Sequence, residues 1–103
     1  EQKVVFETDP TKAREISRKA ARTYQGLPNY RNNWLRMGFD QADIDGNGSD
    51  AFIDSTFAWG DIDAIKTRVQ EHYDAGASHV CVQPVHPEGK MGEIDWRVLE
   101  ALA

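Results

Sequence analysis

Between Asp74 and Pro87 the chain reads Asp-Ala-Gly-Ala-Ser-His-Val-Cys-Val-Gln-Pro-Val-His-Pro, and no other stretch restricts the fold as much. A long periodic segment ends at Gly76, which suits the left-handed residue that closes a helix. His79-Val80-Cys81-Val82-Gln83 follows, β-branched on one face and mixed on the other. Strands that are apolar almost throughout lie in sheets covered on both faces, usually parallel ones reached through helices. Pro84 and Pro87 cannot donate a backbone hydrogen bond, so they are expected to stop the ladder. The stretch predicts a buried parallel strand, fed by a helix and opening into a loop at its carboxyl end.

Upstream, Lys3-Val4-Val5-Phe6-Glu7 predicts a first short strand. Asp9 caps a helix with Pro10 in its first turn, where a missing N–H costs nothing. From Thr11 to Tyr24, Ala13, Ile16, Ala20 and Tyr24 recur at helical spacing opposite Lys12, Arg14, Lys19 and Arg22, a basic face expected to be solvated. A short helix enters through Pro28 and runs toward Phe39. Asp40 to Gly48 is turn-rich, and Ser49 caps an apolar helix carrying Phe52, Ile53 and Phe57. Gly60 breaks that helix. Asp61 caps the next, striped with Ile62, Ile65, Val69 and Tyr73, and Ile94, Val98, Leu99 and Leu102 mark the last.

A helix that follows a strand runs back toward the strand's starting end. The helices from Pro10 and Asp61 both do so, and the segment between them must climb. Phe57-Ala58-Trp59-Gly60 is therefore expected near the carboxyl edge of the strands, where parallel sheets bind ligands. Nothing else reads as a strand. Two parallel strands cannot pair both edges or bury both faces, so the remainder of a larger sheet, or another chain, is expected to pair the open edges.

Composition narrows the function classes. The 103 residues make one domain at most. A net charge of −5 with no Lys/Arg cluster argues against a nucleic-acid or anionic-membrane surface. The single cysteine, Cys81, is expected to be a buried, inert thiol in a reducing, cytoplasmic setting. No apolar run approaches membrane-spanning length. The first residue is Glu1, as expected of a cut or processed piece.

Four segments together resemble a known family. Glu1-Gln2-Lys3-Val4-Val5-Phe6-Glu7-Thr8-Asp9-Pro10, Leu27-Pro28-Asn29-Tyr30-Arg31-Asn32-Asn33, Ala58-Trp59-Gly60-Asp61 and Gly76-Ala77-Ser78-His79-Val80-Cys81-Val82-Gln83 are similar to the C-terminal part of luciferase-like oxidoreductases. The likeness is greatest to the branch that uses the deazaflavin coenzyme F420, with FMN the alternative. The resemblance implies that residues 1–103 are the C-terminal segment of a (β/α)8 TIM-type barrel, with Lys3–Glu7 as strand seven and His79–Val85 as strand eight. It also implies hydride transfer between cofactor and a small organic substrate, most cofactor contacts lying on earlier strands. Gly60-Asp61-Ile62-Asp63 departs from the Gly-Thr-Pro-Glu of many relatives.

Within that frame Gln83, His86 and Trp59 are the candidate substrate-binding residues, all expected at one mouth. Gln83 offers both a donor and an acceptor, or else fills a polar layer of the barrel. His86 either meets substrate or is a loop histidine held by backbone groups. His72 and His79 are expected to be structural, as are Trp34 and Trp96. Asn29, Asn32 and Asn33 beside a helix start more often satisfy backbone groups than a substrate. No catalytic residue is assigned. Asp43 to Asp54 nearly fits an EF-hand calcium loop, but Asp50 stands at position eight and the shorter Asp54 at position twelve. A capped turn before a helix accounts for the same residues, so no metal ligand is assigned. A calcium module and a non-catalytic assembly fragment remain the alternatives to the oxidoreductase.

Overall fold

A computed structural model describes all residues, Glu1–Ala103. Strand β1 spans Gln2–Val5, and helix α1 spans Pro10–Gln25. Asp9 caps α1 by accepting the Lys12 N–H at 3.0 Å. Helices α2 (Pro28–Arg36), α3 (Gln41–Ile44) and α4 (Asp50–Thr56) form the excursion. Strand β2 (Phe57–Trp59) leads to α5 (Ile62–Asp74), and β3 (Val82–Pro84) to α6 (Trp96–Leu102). No helix is long and apolar enough to cross a membrane.

The strands form one parallel sheet in the order β2-β1-β3. This overturns the expected (β/α)8 barrel segment. A barrel adds each successive strand to the same side and keeps its helices outside. Here β1 is paired on both edges, Val4 with Ala58 on one side and with Pro84 on the other. Helices cover both faces. Val5, Phe57 and Val85 pack with α1 and α4 through Ala13, Ala21, Phe52 and Ile53. Val4, Ala58 and Val82 pack with α5 and α6 through Ile65, Val98 and Leu102. The sheet is an open three-layer α/β/α arrangement whose faces are covered and whose outer β2 and β3 edges are free.

The strand β2 was hidden by its length. Thr56 turns its hydroxyl back onto the Phe52 carbonyl at 2.9 Å, and Phe57 then takes extended angles instead of continuing the helix. Three residues suffice because Phe57 and Trp59 face one layer while Ala58 faces the other. The upward climb does reach the carboxyl edge, where the Gly60 N–H donates to the Val5 carbonyl at 3.3 Å.

The predicted strand over His79–Gln83 is shifted. His79 and Cys81 are exposed, every residue of β3 is half-buried, and the thiol is not the buried one expected. Pro84 does not stop the ladder but sits inside it. The Val85 N–H reaches Val4 O at 2.8 Å and Cys81 O accepts from Gln2 at 2.8 Å, so odd-numbered residues face β1. The nitrogen of Pro84 therefore faces the open edge, where no donor is needed. Gly76 follows α5 with φ +103°, as its position after a helix predicted.

Candidate functional site

Two concavities flank the end of β3. The first is a groove of about 180 Å³ between α1 and the loop 86–93, and its walls include Lys19, Tyr24, Gln83, His86 and Glu93. Gly89 lets the loop close this groove. Its φ is +67°, and a β-carbon there would lie 2.8 Å from that of Lys19, so only glycine brings the loop this near α1.

Within the groove His86 is held from both sides. Its Nδ1 accepts the Glu88 N–H at 3.2 Å, which leaves the ring proton on Nε2, 3.4 Å from the Glu93 carboxylate. Gln83 shares the α1-facing side of the sheet with Lys3, its register partner on β1. Lys3 lies 4.6 Å above the Tyr24 ring and is paired with Glu1 at 2.6 Å. The hydrogen bond from Lys3 is the main reason that the Glu1 carboxyl is held below its ordinary range. Lys90 does the same for Glu88. Lys19 is the cation of the groove with no carboxylate in salt-bridge reach.

The structure thus brings Gln83 and His86 together and places Trp59 elsewhere. Trp59 stands on β2, across β1 from β3, in a separate surface hollow with Asp54 and Arg68. Its indole N–H donates to Asp54 Oδ1 at 2.9 Å, and Arg14 lies 5.4 Å over its ring. The basic face of α1 is not simply solvated: Arg14 binds Asp54, and Arg18 binds Asp50 and the Gly48 carbonyl. His72 is structural as expected, its Nε2 2.9 Å from Gln2 Oε1 on buried β1.

The loop Asp43–Asp54 is a set of capped turns. Asp40 and Asp43 form a capping box at α3, Asp43 also accepts the Ser49 hydroxyl at 2.8 Å, and Ser49 caps α4. Those hydrogen bonds, that from Ser49 foremost, lower the Asp43 pKa. Asp45 pairs with Arg31 at 2.8 Å, and Asp50 and Asp54 with the arginines of α1. The carboxylates of the EF-hand-like spacing are therefore turned to hydroxyl and arginine partners, Asp50 and Asp54 sharing Arg14, and no group of three or more His, Cys, Asp or Glu side chains is placed to hold a metal ion.

The second concavity is a crevice of about 240 Å³ at the carboxyl ends of β1 and β3, with Val5, Phe6, Glu7, Val85, Asp95 and Arg97 in its walls. The loop 86–93 after β3 first packs against α1, but the helices that follow the two adjacent strands, α1 and α6, lie on opposite faces of the sheet. Such a divergence is the switch point at which open parallel sheets form ligand crevices. Asp95 is 5% exposed and binds Arg97 in a fork, 2.9 Å to Nε and 2.6 Å to Nη2. That pair lowers the Asp95 pKa and raises that of Arg97. Neither residue stands out in the sequence. The available signal was Asp95 as a cap before the apolar run of α6, with an arginine two residues on.

The tricyclic ring, ribityl chain and phosphate of F420 or FMN do not fit the groove, whose 180 Å³ falls below the roughly 300–1,000 Å³ typical of cofactor and drug-sized sites. The chain also lacks a Gly-rich phosphate cradle. Searches of protein-family models, curated proteins and solved structures return no match to this chain.

Proposed function

We propose that this chain supplies one wall of a small-molecule substrate pocket in a luciferase-like oxidoreductase, working in the cytoplasm. The observation that carries the proposal is that Gln83 and His86 line one groove while being held by different elements. Gln83 offers an amide donor and acceptor, and His86 a fixed Nε2–H; together they suit a carbonyl or hydroxyl group. The family part rests on the likeness of the four segments quoted above, and the barrel expected with it is not retained. Because the groove is too small for the cofactor, F420 or FMN would be held by residues outside this chain, and no step of hydride transfer is assigned to residues here. The cytoplasmic setting rests on the lone, unpaired Cys81.

The test is an NMR titration of the 15N-labelled chain with a panel of small ketones, aldehydes and alcohols, with F420 and FMN as separate arms. The Gln83 side-chain amide and the His86 imidazole are expected to shift together with at least one small compound. Neither cofactor is expected to bind below micromolar concentration. In an active enzyme carrying this segment, Gln83→Ala and His86→Ala should each lower kcat/KM by about tenfold, the loss of one hydrogen bond. Silence of both side chains across the panel, or wild-type kinetics in both variants, defeats the proposal.

One observation favours a second reading, that of a non-catalytic assembly fragment: the outer edges of β2 and β3 are unpaired. A particle mass above that of one chain, measured by light scattering over a range of concentrations, would support it.

A further inference from the structure

We propose that the free edge of β3 pairs with the β3 of a second copy of this chain, antiparallel about a two-fold axis at Cys81, so that two three-stranded sheets become one continuous sheet. This pairing deepens the assembly-fragment reading and rests on it; it does not depend on the groove of Gln83 and His86.

Main-chain geometry decides which atoms are open. The Gln2 N–H donates to Cys81 O and the Val85 N–H to Val4 O, so Cys81, Gln83 and Val85 bond β1 while Val80, Val82 and Pro84 face outward. Neither the N–H nor the carbonyl of Val80 has a backbone partner. Val82 is open in the same way, because the only strand beside β3 is β1, on the other side. His79 and Cys81 are exposed, so no helix covers this stretch of the edge on the α1 side.

Charge favours a second copy. Natural sheets guard their edges with charged side chains, yet from Ala75 to Val85 there is no Asp, Glu, Lys or Arg. Two chains of net charge −5 can therefore meet here without like charges at the contact. The outer edge of β2 differs, since Asp54, Arg68 and Glu71 lie in the hollow beside it. A partner for so short an edge must itself be an uncharged edge with donors and acceptors on alternate residues, and β3 meets both conditions. Ile94 and Trp96, 42% and 65% exposed, add apolar surface in a hollow with His86 just past the strand.

Pro84 fixes the register. With the axis at Cys81, Val82 meets the partner's Val80, and every outward N–H and carbonyl of the two valines is used. With the axis at Val82 instead, Pro84 would face the partner's Val80 with no N–H to offer. The Cys81 axis also sets Cys81 directly against the partner's Cys81, in a non-hydrogen-bonded pair with Cα atoms about 4.5 Å apart. That is within disulfide reach, whereas the Val82 axis would leave them about 7–8 Å apart and beyond it.

Sedimentation equilibrium of the intact chain in reducing buffer, from about 5 µM to about 1 mM, is expected to show the mass rising from one chain toward two. The dissociation constant should be about 10–100 µM, as suits a small contact. Cys81→Lys sets like charges against each other across the axis at an exposed position, and Val82→Pro removes an outward N–H while sparing the β1 ladder. Each should weaken association at least about tenfold. Diamide is expected to link most wild-type chains through Cys81 above the dissociation constant, each thiol giving a proton and an electron to the reagent. One-chain mass throughout overturns this pairing and the assembly reading together. A dimer that diamide does not link, or a natively folded variant of either kind that keeps wild-type affinity, overturns the pairing alone.

Discussion

Arg14 reaches Asp54 with two hydrogen bonds, 3.0 Å from Nε and 2.8 Å from Nη2, and Trp59 adds a third at 2.9 Å. The Arg14 bond is the main cause of the lowered Asp54 pKa, with Trp59 reinforcing it against partial burial. The folded carboxyl is thus a stronger acid than the unfolded one, whose ordinary value is near 3.8. As pH falls into that region the unfolded chain takes up protons first. The stabilisation is therefore full above the ordinary value and is lost as pH drops through the lowered one. Asp54→Asn should lower the melting temperature by a few degrees at pH 7 and flatten its decline between about pH 5 and pH 2. Thermal melts across that range, wild type against variant, check the prediction; parallel curves would show that another carboxylate carries the acid limb. The pairing joins α1, α4 and β2, residues far apart in the chain. For that reason Arg14 is docked, while Lys12, Lys19 and Arg22 of the same basic face are exposed as expected.

At the scale of elements, the junction between β2 and α5 depends on Gly60. Its φ is +135°, and an added β-carbon would lie 2.8 Å from that of Ala64 in the first turn of α5. Gly60→Ala should cost about 1–3 kcal/mol, from backbone strain and displacement of the helix. Urea denaturation measures it, and a loss under 0.5 kcal/mol, the usual scatter of surface substitutions, would mean that the junction is more yielding than its geometry. The loop leading to α4 invites a different test. Its carboxylates are committed to Ser49, Arg31, Arg14 and Arg18, so calcium would have to displace several ion pairs to gather them. Melts with millimolar calcium and with a chelator should superimpose, and a rise of several degrees with calcium would show that the loop rearranges around the ion. The cap at Ser49 was legible from sequence because a hydroxyl before an apolar helical run needs only local geometry. The strand just after it was not legible, because three residues carry too little periodicity to tell a strand from the end of a helix.

For the molecule as a whole, the sheet splits the core into two clusters, one around Phe52 and Ile53 and one around Ile65 and Val98. Only 15 of 103 residues are buried, which places the chain at the lower end of domain stability, about 5 kcal/mol. Extrapolation of urea unfolding to water checks this, and a value above about 10 kcal/mol would require burial that the isolated chain does not have. Phe52→Ala, which removes a fully buried ring packed edge-on against Trp34 and Phe39, should cost about 3–5 kcal/mol and so take most of that stability. Circular dichroism would then show a largely unfolded variant at 25 °C.

The sequence by itself determined the starts of α1, α4 and α5, because Asp9, Ser49 and Asp61 cap through bonds three residues long, while α3 and the end of α4 were not legible. It also determined that β1 and β3 are parallel, since helices return the chain to the same end each time. It placed Gln83 and His86 close together, being three residues apart at one strand end. Tertiary structure alone decided the strand order β2-β1-β3, because pairing between distant strands leaves no local periodicity in any of them. That order turns an expected barrel wall into an open sheet, carries Trp59 to the far side of β1, and makes β1 and β3 neighbours. The crevice of Glu7, Asp95 and Arg97 follows from it: residues some ninety positions apart meet because the strands before them, β1 and β3, are paired.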